Sequence, residues 1–457
     1  MSFLKYPAYK DSGVEWLGMF PIHWTVTLLK RGYEVVLGKM LQPDSKNEDD
    51  EFLPYLRAAN IQSAGVDARD VRAMWFSPSE KKSLRLLKGD LLVSEGGDVG
   101  RSALWDSDQE CYFQNAINRI RSLGSNSTRY LFYWMVSIKK SGYIDVVCNK
   151  STIAHFTAEK VAATPTPFPP PAEQVKIAQF LNHESAKIDT LIEEQQRLIE
   201  LLKEKRQAVI SHAVTKGLDP NVPMKDSGVE WLGKMPAHWA VSKLKFMTDR
   251  VVDCPHETPV YDPDGDYLVI RTADLDQGVL KPEGMYRLQH GEYLNRTRRS
   301  SLIKNDVVYG REGERWGHAA LVPESDLFAL GQRMMQFRVG AHVCPEFFMY
   351  QLNSVPVYRQ GEVDTVGATA PHVNISTIVN YQMMVPPLTE QLQMSLHLSK
   401  ALHVLDSLIA ESIGMAELLR ERRSALISAA VTGKIDVRSW QARAAPQTEN
   451  QTEAALG

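Results

Sequence analysis

Lys10-Asp11-Ser12-Gly13-Val14-Glu15-Trp16-Leu17-Gly18 recurs without a change as Lys225-Asp226-Ser227-Gly228-Val229-Glu230-Trp231-Leu232-Gly233, 215 residues further on. Behind each copy comes Pro-x-His-Trp, first as Pro21-x-His23-Trp24 and then as Pro236-x-His238-Trp239. A second match lies downstream, where Pro170 to Thr215 aligns with Pro387 to Thr432 at an offset of 217. There Glu173-Gln174 meets Glu390-Gln391, Asp189 meets Asp406, and Ile210-Ser211 meets Ile427-Ser428. Two matches in the same order at nearly the same offset make the chain a tandem duplication, and a repeat of this size governs every later reading.

Each copy reads as a globular region followed by one long helix. The globular parts carry short apolar runs broken by Gly, Asn and Asp, such as Gly89-Asp90-Leu91-Leu92-Val93 and Asn305-Asp306-Val307-Val308-Tyr309, which read as strands entering from turns. They close in proline clusters, Pro165 to Pro171 and Pro386-Pro387, where a helix can begin but not continue backwards. Residues 172–216 then hold no Pro or Gly and carry Ile188, Leu191, Ile192, Leu198, Ile199, Leu202 and Val209 at 3–4 spacing. The second copy, interrupted only by Gly414, places Leu405, Leu408, Ile409, Met415, Leu419 and Leu426 likewise. So narrow a stripe on so long a helix needs a partner, and the other copy is the natural one. The expected division is 1–170 and 218–386 for the two globular domains, 171–217 and 387–435 for the helices, and 436–457 for a tail without periodicity, read as disordered.

The chain has 457 residues, of which 44% are hydrophobic and 23% charged, an ordinary globular composition with room for two cores. No apolar run reaches the ~20 residues of a membrane span, and no signal pattern opens the chain, so the reading is cytoplasmic with no membrane partner. Cys111, Cys148, Cys254 and Cys344 stand far apart and form no C-x-x-C pair. Cys254-Pro255-His256 comes nearest to a metal pair but offers too few ligands, so no metal is expected. A net charge of −3 weighs against a small basic DNA-binding domain, although a large subunit can gather its cations on one face.

Catalytic motifs are missing. There is no G-x-x-x-x-G-K-[ST] for a nucleotide, and Glu95-Gly96-Gly97-Asp98-Val99-Gly100-Arg101 lacks the Lys-Ser/Thr of a phosphate loop and reads as a turn between strands. An adenine methyltransferase needs Asn/Asp-Pro-Pro-aromatic, and Tyr261-Asp262-Pro263-Asp264 is not that motif. Binding residues are plentiful instead. Arg57, Lys81, Lys82 and Arg101 in the first copy, and Arg271, Arg296, Arg298, Arg299, Arg311 and Arg315 in the second, can neutralise phosphates or read base edges. The polar run Gln114-Asn115-x-x-x-Arg119 aligns with Gly331-Gln332, and Thr152-x-x-His155 aligns with Thr369-x-x-His372. The two histidines sit near the start of short helices whose first turns hold Thr157 and Asn374. Framework segments match almost residue for residue while the interiors agree only in patches, as suits a partner with two unlike ends.

These residues resemble a known family. Lys-Asp-Ser-Gly-Val-Glu-Trp-Leu-Gly with Pro-x-His-Trp looks like the opening of type I restriction–modification DNA-specificity subunits. The Pro-Pro-x-x-Glu-Gln entry to a long helix, with Pro170-Pro171-Ala172-Glu173-Gln174 in the first copy and Pro386-Pro387-Leu388-Thr389-Glu390-Gln391 in the second, looks like that family's helical region. In the first copy Gly18-Met19-Phe20-Pro21 departs slightly from the family's pattern. The resemblance covers residues 10 to about 435. It implies two target-recognition domains of mixed α/β (α+β) fold, related by a pseudo-two-fold and joined by two long antiparallel coiled-coil helices. It further implies a non-catalytic chain that reads a bipartite site in double-stranded DNA. Its partners would be two adenine-N6 methyltransferase subunits and two motor–nuclease subunits, which would hold S-adenosylmethionine, ATP and Mg2+. Two other readings are a duplicated coiled-coil scaffold that binds proteins only, and a standalone DNA-modifying enzyme, which the missing motifs disfavour.

Overall fold

A computed structural model describes residues 4–62, 64–148, 154–313, 315–364 and 372–442. The chain forms two compact units, residues 1–195 with 415–457 and residues 196–414. In the first unit β1 (Tyr33–Leu37), β2 (Leu91–Ser94), β3 (Ser102–Leu104) and β4 (Ile117–Ser122) form an antiparallel sheet in the order β3-β2-β4-β1. A second sheet sets Glu51–Leu56 between Tyr112–Phe113, which runs parallel to it, and Arg72–Phe76, which runs antiparallel. The long helix α1 (Pro171–Lys216) leaves this unit and continues into the next. In the second unit β5 (Thr248–Asp253), β6 (Val307–Gly310), β7 (Ala319–Leu321) and β8 (Met334–Val339) repeat the sheet in the order β5-β8-β6-β7. Tyr267–Ile270 lies between Phe328–Leu330, parallel, and Tyr286–Leu288, antiparallel. The helix α2 (Leu388–Val431) then runs back into the first unit.

The repeated sequence has a structural task in each copy. Lys-Asp-Ser-Gly makes the turn of a small hairpin: Asp11 accepts the Gly13 N–H at 2.8 Å, and Asp226 accepts that of Gly228 at 2.8 Å. Gly13 and Gly228 have φ of +71° and +74°, which a Cβ would oppose. Pro-x-His-Trp and Glu-Gln then meet. Glu173, buried in the first turn of α1, accepts from Trp24 Nε1 at 3.0 Å and Tyr6 Oη at 2.5 Å, and pairs with His23 Nε2 at 2.8 Å. Glu390 does the same with Trp239 Nε1 at 2.9 Å and His238 Nε2 at 2.7 Å. The wholly buried Gln174 accepts the Ser127 N–H and donates to the Pro169 carbonyl, each at 2.9 Å. Gln391 accepts the Cys344 N–H at 2.8 Å and donates to the Pro386 carbonyl at 2.9 Å. The motif therefore welds each helix start to its own domain, and an unpaired buried partner would cost ~1–3 kcal/mol.

Both units contain both helices. In the first, Ile177, Phe180 and Leu181 of α1 share a core with Ile427, Ala430 and Val431 of α2, and Arg423 pairs with Asp189 at 3.0 Å. In the second, Ile210, Ala213 and Val214 share one with Leu398, Leu402 and Leu405, and Arg206 pairs with Asp406 at 2.8 Å. Rising numbers on α1 meet falling numbers on α2, so the pair is antiparallel. The seam departs from the expected stripe. Ile188, Leu202, Val209, Leu405, Leu419 and Leu426 are buried or half-buried, but Leu191 (45%), Leu198 (41%), Leu408 (42%) and Met415 (50%) are exposed. Strict alternation of three and four selects their neighbours Ile192, Ile199, Ile409 and Ala416 instead. The tail also needs correction: Val437 is buried and Trp440 packs edge-on against Phe180 at 5.5 Å, while 443–457 lie outside the described residues. Among the described residues no helix is long and apolar enough to cross a membrane.

Candidate nucleic-acid interface

At one end of each four-stranded sheet three loops are stitched together by backbone hydrogen bonds. In the first unit the Glu95 N–H reaches the Ala116 carbonyl at 2.9 Å, and the Phe156 N–H reaches that of Glu95 at 2.9 Å. In the second the Arg311 N–H reaches the Arg333 carbonyl at 3.0 Å, and the Val373 N–H reaches that of Arg311 at 3.1 Å. The glycine-rich stretch 95–101 is the turn between β2 and β3, with Gly97 and Gly100 at φ of +72° and +76°. The backbones correspond while the chemistry does not. Glu95 stands where the second unit has Arg311, Asn115 where it has Gln332, and Ala116 where it has Arg333.

Many candidate cations turn out to hold the fold. Arg119 is 2% exposed, donating to Glu34 at 2.5 Å and to the Ser83 carbonyl at 2.9 Å, and burial presses its pKa downward. Arg296 is 4% exposed and spends its guanidinium on the carbonyls of Leu330, Glu257 and Pro255. Arg311 is buried between Asp253 at 3.1 Å and Glu312 at 3.0 Å. These three cannot reach DNA, and the physical reason is common to them: a buried charge persists only where it is paired. Arg57 and Arg271 lock the same short 3-10 turn, through Asp70 at 2.6 Å and Asp274 at 2.7 Å, and Arg271 also stacks on Tyr286 at 4.0 Å. Arg101 and Arg315 tie their turns to the carbonyls of Ala58 at 3.1 Å and Leu275 at 2.8 Å. Lys81 pairs with Glu51, and Gln332 holds the His256 carbonyl at 2.9 Å.

Other candidates remain open. The half-buried side chains of Gln114 and Asn115, and the exposed Lys82, have no hydrogen-bond partner among the described residues. His155 is exposed beside Gly96, and His372 is half-buried and bridges to the Glu312 backbone. Arg298 and Arg299 are exposed, held only by Asn295 at 3.1 Å and the Asp253 carbonyl at 3.2 Å. Thr152 and Thr369 lie outside the described residues. The reading of the sequence overlooked Arg333. It is exposed at the loop tip, leans towards Glu312 at 3.5 Å, and holds φ at +69°, a strained value for a non-glycine residue. Its place next to Gln332 in the aligned polar run was the available signal.

Known proteins match this arrangement. The sequence fits the family described as Type I restriction modification DNA specificity domain over residues 24–202 and again over 254–412. It is 26% identical over 404 residues to the Type I restriction enzyme EcoKI specificity subunit of Escherichia coli K12, covering 82% of this chain and 81% of that one. It is 22% identical over 431 residues to the MjaVIII specificity subunit of Methanocaldococcus jannaschii, covering 92% and 94%. The crystal structure of the HsdS subunit from Thermoanaerobacter tengcongensis shares the fold at a TM-score of 0.52 and 15% identity, over 91% of this chain and 98% of that one. A chain from a structure of type I R-M complex assembly gives 0.66 at 14% identity, over 90% and 98%. With the family matched in both halves of a duplicated chain, this protein belongs to the type I restriction–modification specificity subunits, which recognise DNA sequence and are not themselves catalysts.

Proposed function

We propose that each unit reads one half of a bipartite duplex target, and that the chain thereby directs adenine-N6 methylation and ATP-dependent cleavage by partner subunits. The observation that carries this reading is the pair of loop ends with matching backbone hydrogen bonds and unlike side chains, Gln114 and Ala116 against Gly331 and Arg333. Two readers of one fold and different chemistry recognise two different half-sites. Gln114 and Asn115 offer amides for adenine edges, while Lys82, Arg298 and Arg299 are placed at the surface for phosphates.

The partners are two methyltransferase subunits and two motor–nuclease subunits. The apolar row Leu392, Leu396, Val404 and Leu408 on α2 lies outside the helix seam and is 54%, 60%, 57% and 42% exposed, which suits subunit docking. S-adenosylmethionine, ATP and Mg2+ belong to those partners. Methylome sequencing of a host that expresses this chain with its methyltransferase tests the reading. Methylated adenines within a single split motif are expected, and methylation at a continuous motif, or none, overturns it.

A further inference from the structure

Among the described residues, Asp253, Cys254 and His256 bring their donor atoms within 4.8 Å of one another. His256 Nε2 lies 2.9 Å from Asp253 Oδ2, and Cys254 Sγ lies 4.0 Å from Asp253 Oδ1. We infer that these three side chains bind one thiophilic divalent transition-metal ion, of which zinc is the type. Bonds of ~2.0–2.3 Å in a tetrahedron set ligand atoms roughly 3.5 Å apart. The Nε2–Oδ2 edge need only open by about 0.5 Å, and the edges to Sγ, none longer than 4.8 Å, close by at most about 1.3 Å. Cys254-Pro255-His256 alone is too small a ligand set, and Asp253 supplies the third donor. Water completes the tetrahedron.

The surroundings favour a fixed site. Arg311 donates to Asp253 Oδ1 at 3.1 Å and leaves Oδ2 facing the imidazole, the way outer groups orient a ligating carboxylate. The loop backbone is pinned from outside: Arg299 holds the carbonyl of Asp253, Arg296 those of Pro255 and Glu257, and Gln332 that of His256. Loop ordering is therefore already in place before an ion arrives. The thiol is wholly buried while the His256 side chain is 68% exposed, so sulfur forms the floor and the imidazole the lid through which an ion passes. On binding, the thiol proton leaves to water and thiolate and carboxylate together neutralise the ion. The corresponding stretch of the first unit is Leu37-Gly38-Lys39-Met40, where the Gly38 N–H makes the bond to β4 that the Cys254 N–H makes to β8. The frame thus does not require these residues, and the ion would fix a loop of the second reader alone.

The test titrates Co2+ into the full chain, reduced and stripped of metal. One equivalent should raise sulfur-to-cobalt charge-transfer absorption in the near ultraviolet, and Zn2+ should displace it. Cys254→Ser should abolish that band, which separates this thiol from Cys111, Cys148 and Cys344. His256→Ala alters an exposed side chain and should weaken Co2+ binding at least ~10-fold with the fold intact. A parent chain without the band, a band that survives Cys254→Ser, or unchanged affinity in His256→Ala overturns the inference and leaves the trio as an ion-pair cluster.

Discussion

Replacing Arg296 with Met separates an arginine that holds a loop from one that holds DNA. Its guanidinium donates to the Leu330 carbonyl at 2.7 and 3.1 Å, to Glu257 at 2.7 Å and to Pro255 at 3.2 Å. Only 4% of the residue is exposed, so solvent screens these bonds little. Methionine preserves most of the stem and removes every donor. Three carbonyls then lose their partner, at ~1–3 kcal/mol each where they stay dry. Water can reach the loop side, which argues for the low end and a total of about 3–5 kcal/mol. For a cooperative unit the size of residues 196–414, 1 kcal/mol moves the melting temperature by roughly 2–4 °C. Calorimetry of the full chain should therefore record a fall of ~6–20 °C in the affected transition. A melt within ~2 °C of the parent, together with weakened DNA binding, would refute the assignment and put this guanidinium on the nucleic acid.

Arg298→Ala with Arg299→Ala should do the opposite, leaving stability within ~0.5 kcal/mol while the salt slope of DNA binding by the methyltransferase complex falls by ~0.9 for each phosphate lost. An unchanged slope in salt titrations would make the pair ordinary solvated surface. Glu173→Gln should cost ~1–3 kcal/mol, because one amide oxygen must serve donors that now meet two carboxylate oxygens. Glu390→Gln should cost less, its side chain being 35% exposed against 6%, and equal losses in parallel thermal melts would count against the burial argument. Exchanging residues 25–165 for those of another family member should alter one half-site in a methylome and spare the other. The purified chain alone should neither hydrolyse ATP nor transfer methyl groups, and turnover in a preparation free of partners would contradict its non-catalytic standing.

The frame was legible because it is duplicated. Asp11 and Asp226, Glu173 and Glu390, and Gln174 and Gln391 make the same bonds in both copies, and a bond needed twice leaves its residues twice in the sequence. The helix seam was half legible. Periodicity gave the stripe, but large Leu and Met were favoured over Ala416 and Ser412, which are the buried residues at those turns. Size indicates what would profit from burial, whereas phase along the 3.5-residue repeat decides what receives it. The cations were the least legible. Arg296 and Arg298 are two residues apart on one short stretch, yet one is buried against three carbonyls and the other lies open beside Asn295. Their separation is tertiary: the carbonyls that claim Arg296 belong to residues 34 to 41 positions away.

The same comparison shows which bonds the two copies share and which they do not. In each unit a bidentate pair anchors the sheet: Arg121 to Asp90 at 2.7 and 2.6 Å, and Arg338 to Asp306 at 2.8 and 2.8 Å. Asp90 and Asp306 are 2% and 1% exposed, and each also accepts the backbone N–H three residues before it. Such buried, fully bonded carboxylates tolerate little change. The loops at the other end of the sheet share backbone bonds, the Glu95 and Arg311 N–H bonds above all, and a backbone bond is indifferent to the side chain it carries. The backbone bond is therefore kept where glutamate stands opposite arginine across the duplication, although the Arg311 side chain adds its own pairs to Asp253 and Glu312. If that is the working principle, Glu95→Gln, which keeps the shape and removes the charge, should fold like the parent and alter recognition in the first half-site alone. A chain that instead unfolds would mean that the Glu95 carboxyl, whose pKa burial pushes upward, is part of the frame after all.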